Sequence, residues 1–293
     1  CSRSRRRRLN SVSQIVLPMH HRATHLITSR ATLVALVAGM LGTNLSCGKS
    51  PEPGEVRLVS SVPPNAVEVV EVPSIRGRVT LAGGKPAKPA STVDVGPNTF
   101  CLSHGSIVDP TWKLAADGGL ADVVIAVRGA PAASNLSLEP VLIDQRDCLF
   151  VPHVTVLQAG QVARIRNDDE TFHNVRIALH EVGTRLGGQN QDNFGQPSKG
   201  FESLKQFSQP GVYRLECDVH RWMKSWVVAH DSAHVAVSAA DGSFEIPRAL
   251  ADGTYTVEAW HPQFPNKLSQ SVVVAQGRAE TDFTFQFDES FNP

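Results

Sequence analysis

From Ile75 onward the chain alternates short apolar runs with Gly, Pro, Asn and Asp, and no segment sustains the 3.6-residue period of an amphipathic helix. That pattern predicts an all-β protein of short strands joined by turns. Candidate strands cover residues 75–81, 121–127, 153–157, 162–167, 173–179, 212–217 and 224–229. Residues 187–200 (GGQNQDNFGQPSKG) carry almost no apolar side chains and read as a surface loop. A fresh series begins near His234. There Asp241-Gly242 is a hairpin signal between HVAVSAA and SFEIP. Further on, Tyr255, Val257 and Ala259 share one strand face, as do Phe283, Phe285 and Phe287. The expectation is a first sandwich over residues 73–231, with an N-terminal extension, and a smaller second one over 232–293.

The residues ahead of the strands change the picture in two ways. Residues 31–42 (ATLVALVAGMLG) form an apolar run too short to span a bilayer and suited to a signal peptide, with Arg22 and Arg30 before it. Asn44-Leu45-Ser46-Cys47 resembles a lipoprotein processing site, although Asn44 stands where an aliphatic residue is expected. Residues 1–47 therefore read as a leader and 48–72, rich in Pro, Ser, Gly and Glu, as a tether. Met19 is a candidate start, which would leave residues 1–18 untranslated. The expected location is periplasmic or cell-surface, with a lipid anchor at Cys47. Seven arginines and no acidic residue lie in 1–47, so the neutral total of 28 basic and 28 acidic residues leaves the remainder at 21 against 28. A body with that acidic balance and no basic stripe is a poor nucleic-acid binder.

Cysteine usage points to chemistry. In an exported chain, Cys101 and Cys148 are a candidate disulfide and Cys217 is left for another task; three free thiols are the alternative. Cys217-Asp-Val-His220-Arg-Trp-Met223 puts three soft or borderline ligands within one turn, and Met223 is the only methionine beyond the leader. Tyr213, Leu215 and Cys217 alternate onto one face, so the thiol points inward. His173 follows the polar turn Asn167-Asp-Asp-Glu-Thr-Phe and begins a strand whose buried face continues through Val175, Ile177 and Leu179. Two imidazoles, a thiolate and a weak thioether form the donor set that suits one copper ion and electron transfer. Zinc sites rarely use a thioether.

These residues resemble the cupredoxins: Gly160-Gln-Val, Asn167-x-Asp169 and His173-Asn174-Val175, then Pro210-Gly211 leading to Cys217-x-x-His220-x-x-Met223, with the short loop spacing of amicyanins. The chain is also similar to exported proteins, labelled methylamine-utilization or plastocyanin-like, in which a carboxypeptidase-regulatory-like module follows the cupredoxin; DGSFEIP and GTYTVEAWHP resemble that module. The resemblance implies a Greek-key sandwich followed by a transthyretin-like one, and an electron carrier rather than an enzyme, with redox proteins as partners. It further implies that the Asn174 N–H bonds the Cys217 sulfur. If the chain carries electrons, His220, on the loop, is the expected exposed ligand through which they pass. The long polar segment between His173 and Cys217 departs from the family pattern.

Competing readings have less support. The chain has no His-x-His pair for a multinuclear centre, one cysteine in the loop rather than the two of a dinuclear site, and no oxyanion hole to make Cys217 a nucleophile. Asp168, Asp169 and Glu170 read as solvated turn acids. His153, His180, His230, His234 and His261 read as surface or hydrogen-bonded histidines, and Trp222 as either a docking edge or a packing residue. Two functions from other classes remain open: copper handling without turnover, and a cell-surface binding module.

Overall fold

A computed structural model describes residues 74–83, 91–132, 137, 139–184, 188–248 and 250–287. The expected leader and tether lie outside these residues. Among the described residues the chain is all-β, apart from one five-residue helix, Thr99–Ser103.

The first sandwich pairs a five-stranded sheet with a four-stranded one. The larger sheet runs Val154–Gln158, Lys224–His230, Gly211–Glu216, His173–His180 and Gln189–Gln196, in that order. The smaller runs Leu149–Val151, Val141–Arg146, Val162–Asn167 and Glu202–Gln206. Ile143, Phe150 and Ile165 from one sheet meet Val175, Ile177, Leu215 and Val227 from the other in a common core. Strand alternation explains which residues enter it. Val227 and Ala229 face this core, whereas Trp226 and Val228 face the opposite way, onto Val124 and Trp260. The apolar run from Trp226 to Ala229 is thus unbroken because both faces of its strand are covered.

Three expectations need correction. Residues 187–200 are not simply a loop: Gln189–Gln196 is an edge strand paired antiparallel with His173–His180. Backbone pairing does not require apolar side chains, and an edge strand with wet faces leaves no apolar alternation to detect. Its last residue, Gln196, is buried and donates Nε2 to the Ile165 carbonyl at 2.8 Å, joining the two sheets.

The expected boundary at 231/232 does not divide the sheets. Ile75–Ala82 pairs with Ser243–Ile246, Ala279–Glu280 and Phe283–Gln286. Val124–Arg128 pairs with Val235–Val237 and Gly253–Trp260. The second sandwich is therefore assembled from both ends of the chain, with Ile75, Val79, Ile125 and Val127 in one core with Phe244, Val257, Phe283 and Phe285. Local alternation shows that a strand exists but not where its partner lies in sequence. Asp241-Gly242 does turn the chain, with Gly242 at φ 83°, yet the strands on either side join different sheets rather than a hairpin. A side chain at Gly242 would meet the Val79 carbonyl, so glycine is required twice over.

Residues 91–109 form a loop over one end of the first sandwich. Val93 donates its N–H to Ile107 and Asp109 to Ser91, and Val95, Cys101 and Ile107 enter the first core. Cys101 is bonded to Cys148, as one of the two sequence readings held.

Candidate metal centre

Cys217 leaves the end of Gly211–Glu216, and Met223 immediately precedes Lys224–His230. The seven residues between these paired strands close on themselves: the Met223 N–H donates to the His220 carbonyl at 2.8 Å and the Cys217 N–H to the Met223 carbonyl at 3.2 Å. That closure turns the Cys217 and His220 side chains toward one point, and His173 reaches it as the first residue of the adjacent strand. His173 is fully buried, and Cys217 and His220 are each only 1% exposed. Met223 is wholly buried in the same core cluster as Cys217.

The three donor atoms form a compact triangle. Nδ1 of His173 and Nδ1 of His220 are 2.9 Å apart, and Sγ of Cys217 lies 4.0 Å from the first and 3.7 Å from the second. A point equidistant from all three lies about 2.1 Å from each, within the range of about 2.0–2.3 Å for bonds from metal to imidazole nitrogen or thiolate.

Partners outside the triangle set the orientation of each donor. His173 Nε2 donates to Asp169 Oδ2 at 2.9 Å, so that in the neutral ring the lone pair is on Nδ1 and faces inward. Asp169 also accepts the N–H groups of Asp147 and Cys148 at 2.8 and 2.9 Å. Those two residues make a two-residue hairpin turn with φ of 54° and 57°, both left-handed, which aims successive N–H groups at one carboxylate. The Asn174 N–H reaches the Cys217 sulfur at 3.5 Å, the contact that the cupredoxin resemblance implied. The Asn174 side chain accepts from the Asp218 N–H at 2.6 Å and donates to Asn193 at 2.9 Å, so the edge strand Gln189–Gln196 braces the loop of residues 217–223.

Electrostatics follow from this packing. Burial pushes the Cys217 thiol up, but the facing imidazoles of His173 and His220 and the Asn174 N–H outweigh it, bringing the thiol down to about 6. Burial likewise disfavours a charged His173, while Asp169 and the Cys217 sulfur favour it more strongly, so its pKa is raised. Burial acts against ionisation of Asp169, yet its bonds from His173 and two backbone amides hold it below the usual carboxylate range. The contacts to Cys217 favour its thiolate form.

Two sequence readings are overturned here. Asp169 is not a solvated turn acid: it is 2% exposed and bound to His173. Its position four residues before His173, behind an Asn167 side chain that accepts the Asp169 N–H at 2.9 Å, was the available signal. His220 is not an exposed ligand either. Its Nε2 is 2.7 Å from Asn98 Nδ2, in the loop of residues 91–109 that covers it, and nothing local in sequence links Asn98 to a residue 122 positions away. Trp222 packs: its Nε1–H donates to the Cys148 carbonyl at 2.9 Å and its ring lies 5.2 Å from that of His220. His153, His180, His230, His234 and His261 lie outside the donor triangle, and His104 and Asp147, which approach Asp169, are exposed.

No family model matches the chain, and none of the curated proteins does. Among solved structures it is similar to a copper-containing nitrite reductase from Thermus scotoductus, at 22% identity and a TM-score of 0.25, over 34% of this chain and 25% of that one. The chain thus spans about a quarter of that protein's length. It is also similar to amicyanin from Paracoccus versutus, at 18% identity and a TM-score of 0.27, over 36% of this chain and 97% of that one. A purple cupredoxin from Nitrosopumilus maritimus follows, at 21% identity and a TM-score of 0.24, over 30% and 98%.

Proposed function

We propose that this chain is a cupredoxin-like carrier of single electrons, using one copper ion held by His173, Cys217 and His220 with Met223 as the weak axial ligand. The observation that carries this reading is the buried triangle of two Nδ1 atoms and one Sγ, whose centre is about a metal–ligand bond length from each. The donor set argues for copper over zinc, because structural zinc sites close with four Cys or His ligands. Copper there would alternate between its cuprous and cupric states. The protein's own task is to hold the donors still and to exclude water. Asp169 fixes the His173 tautomer, the Asn174 N–H tempers the thiolate, and the closed loop keeps Cys217, His220 and Met223 together. A site whose three donor residues are each at most 1% exposed suits electron transfer better than chemistry on a bulky substrate. Phe172 and Val219, each adjacent in sequence to a ligand, are 45% and 53% exposed and offer an apolar approach for a redox protein.

The further parts of the reading are the carboxypeptidase-regulatory-like character of the second sandwich, export to the periplasm or cell surface, and an anchor at Cys47. Copper holding without turnover is the second reading, and the burial of His220 favours it, since that ligand's edge does not reach solvent. The test is to add Cu(II) to the purified soluble part and record visible and EPR spectra, then titrate the potential. A strong thiolate-to-copper band, lost in Cys217→Ser and reversibly bleached by reduction, supports the carrier. Tight Cu(I) binding with poor Cu(II) retention supports holding, and a colourless protein sinks both.

A further inference from the structure

The outer edges of the two histidine ligands are joined by a path running through the loop of residues 91–109. From His220 Nε2 it passes to Asn98 at 2.7 Å, and Asn98 caps the helix Thr99–Ser103 by accepting the Cys101 N–H on Oδ1 at 2.9 Å. Cys101 continues through the disulfide to Cys148. Cys148 then donates its N–H to Asp169, which holds His173, and accepts from Trp222 of the metal loop. The 91–109 loop is also anchored independently of these bonds, because Val95 and Ile107 lie in the first core.

We propose that Asn98 is a positioning residue of the metal centre: its carboxamide covers the outer edge of His220 and fixes the ring, and the Cys101–Cys148 disulfide ties that cover to the Asp169 clamp on His173. This rests on the copper reading above. The assignment follows from what the imidazole requires. A ring that ligates through Nδ1 must carry its hydrogen on Nε2, and a buried N–H without an acceptor is destabilising. Asn98 is the side chain within hydrogen-bond distance of that nitrogen. Its Nδ2 faces Nε2 while its Oδ1 caps the helix. Ligation through Nδ1 would require Asn98 to present Oδ1 to the ring, at the expense of its bond to the Cys101 N–H. One side chain thereby links the state of the His220 ring to the end of the helix.

Substitutions at Asn98 separate the two roles. Serine still caps a helix but is too short to reach His220, whereas aspartate offers one oxygen to the ring and another to the Cys101 N–H. The first arm uses metal-free protein and reads carbethoxylation of His220 by mass spectrometry, with thermal unfolding to verify that each variant folds. The second is competition for Cu(II) against a chelator. Asn98→Ser should react faster at His220 than wild type and lose copper affinity on the order of tenfold, the usual cost of removing a ligand's outer partner. Asn98→Asp should restore wild-type affinity or exceed it. A folded Asn98→Ser protein whose His220 reacts no faster than wild type overturns the inference, and so does one that keeps wild-type copper affinity. A wild-type protein lacking the thiolate-to-copper band overturns the metal reading instead, and the carbethoxylation comparison then decides by itself whether Asn98 covers His220.

Discussion

Nε2 of His173 and Oδ2 of Asp169 stand 2.9 Å apart, with side-chain exposures of 0% and 2%. The same carboxylate receives the N–H groups of Asp147 and Cys148, so one buried acid orients the His173 ring and holds a left-handed turn at once. Four expectations follow from this and related contacts.

Asp169→Asn keeps the shape of the side chain but cannot accept from both His173 and the paired backbone amides, because its NH2 group faces one of the donors. Metal affinity should fall on the order of tenfold to a hundredfold. The metal-free protein should lose about 1–3 kcal/mol of stability, the cost of an unsatisfied buried polar group. Chelator competition and denaturant titration measure the two effects separately.

Met223 fills the core and is the proposed axial ligand, and different substitutions distinguish the two roles. Met223→Ala should cost about 2–5 kcal/mol in the metal-free protein by opening a cavity in the core. Met223→Leu should cost less than about 1.5 kcal/mol, since volume is kept. With copper added, both should show a visible spectrum and potential different from wild type. A Met223→Leu protein with wild-type spectrum and potential would remove the thioether from the ligand set.

His261 gives the fold an acid sensitivity unrelated to metal. It stacks on Trp112 at a centroid distance of 5.3 Å and accepts the Gln263 N–H on Nδ1. Burial, with His153 and Lys113 nearby, pushes its pKa down to about 3. His153 is lowered as well, chiefly by burial; Asp122 and Asp109 raise it and Lys113 lowers it, and Lys113 is itself paired with Asp122. The unfolded chain titrates its histidines near 6.5, so below that pH it binds more protons than the native state. Stability contributed by a neutral His261 is full above about 6.5 and is lost as pH falls toward 3. Between pH 6 and 4 the loss from this residue should be roughly 2–3 kcal/mol. Denaturant titrations across that range should be visibly flatter in a folded His261→Gln variant.

Residues 232–293 expressed alone should fail to fold. Ile75–Ala82 lies between the partners of its sheet and buries Val79 against Phe283 and Phe285. Without it those phenylalanines are uncovered and the backbone groups of Ser243–Ile246 lose their ladder. Circular dichroism and proton NMR of the fragment are the measurement, and a dispersed, cooperative spectrum would refute the shared-strand assembly.

Much of the site was legible in sequence because its chemistry is local. Cys217 and His220 lie three residues apart, a strand-then-turn pattern aims them together, and the alternation through Val175 and Ile177 puts His173 on the buried side. The all-β class was legible for the same reason, since a two-residue period survives wherever one face of a strand is buried. Tertiary structure alone decided the rest. It paired Ile75–Ala82 with strands beyond residue 242, made an edge strand of the polar run Gln189–Gln196, buried Asp169 under a left-handed turn and closed His220 beneath Asn98. Each of these depends on a partner far away in sequence, through a backbone hydrogen bond or one polar contact. Such contacts leave no periodic trace in the residues that make them.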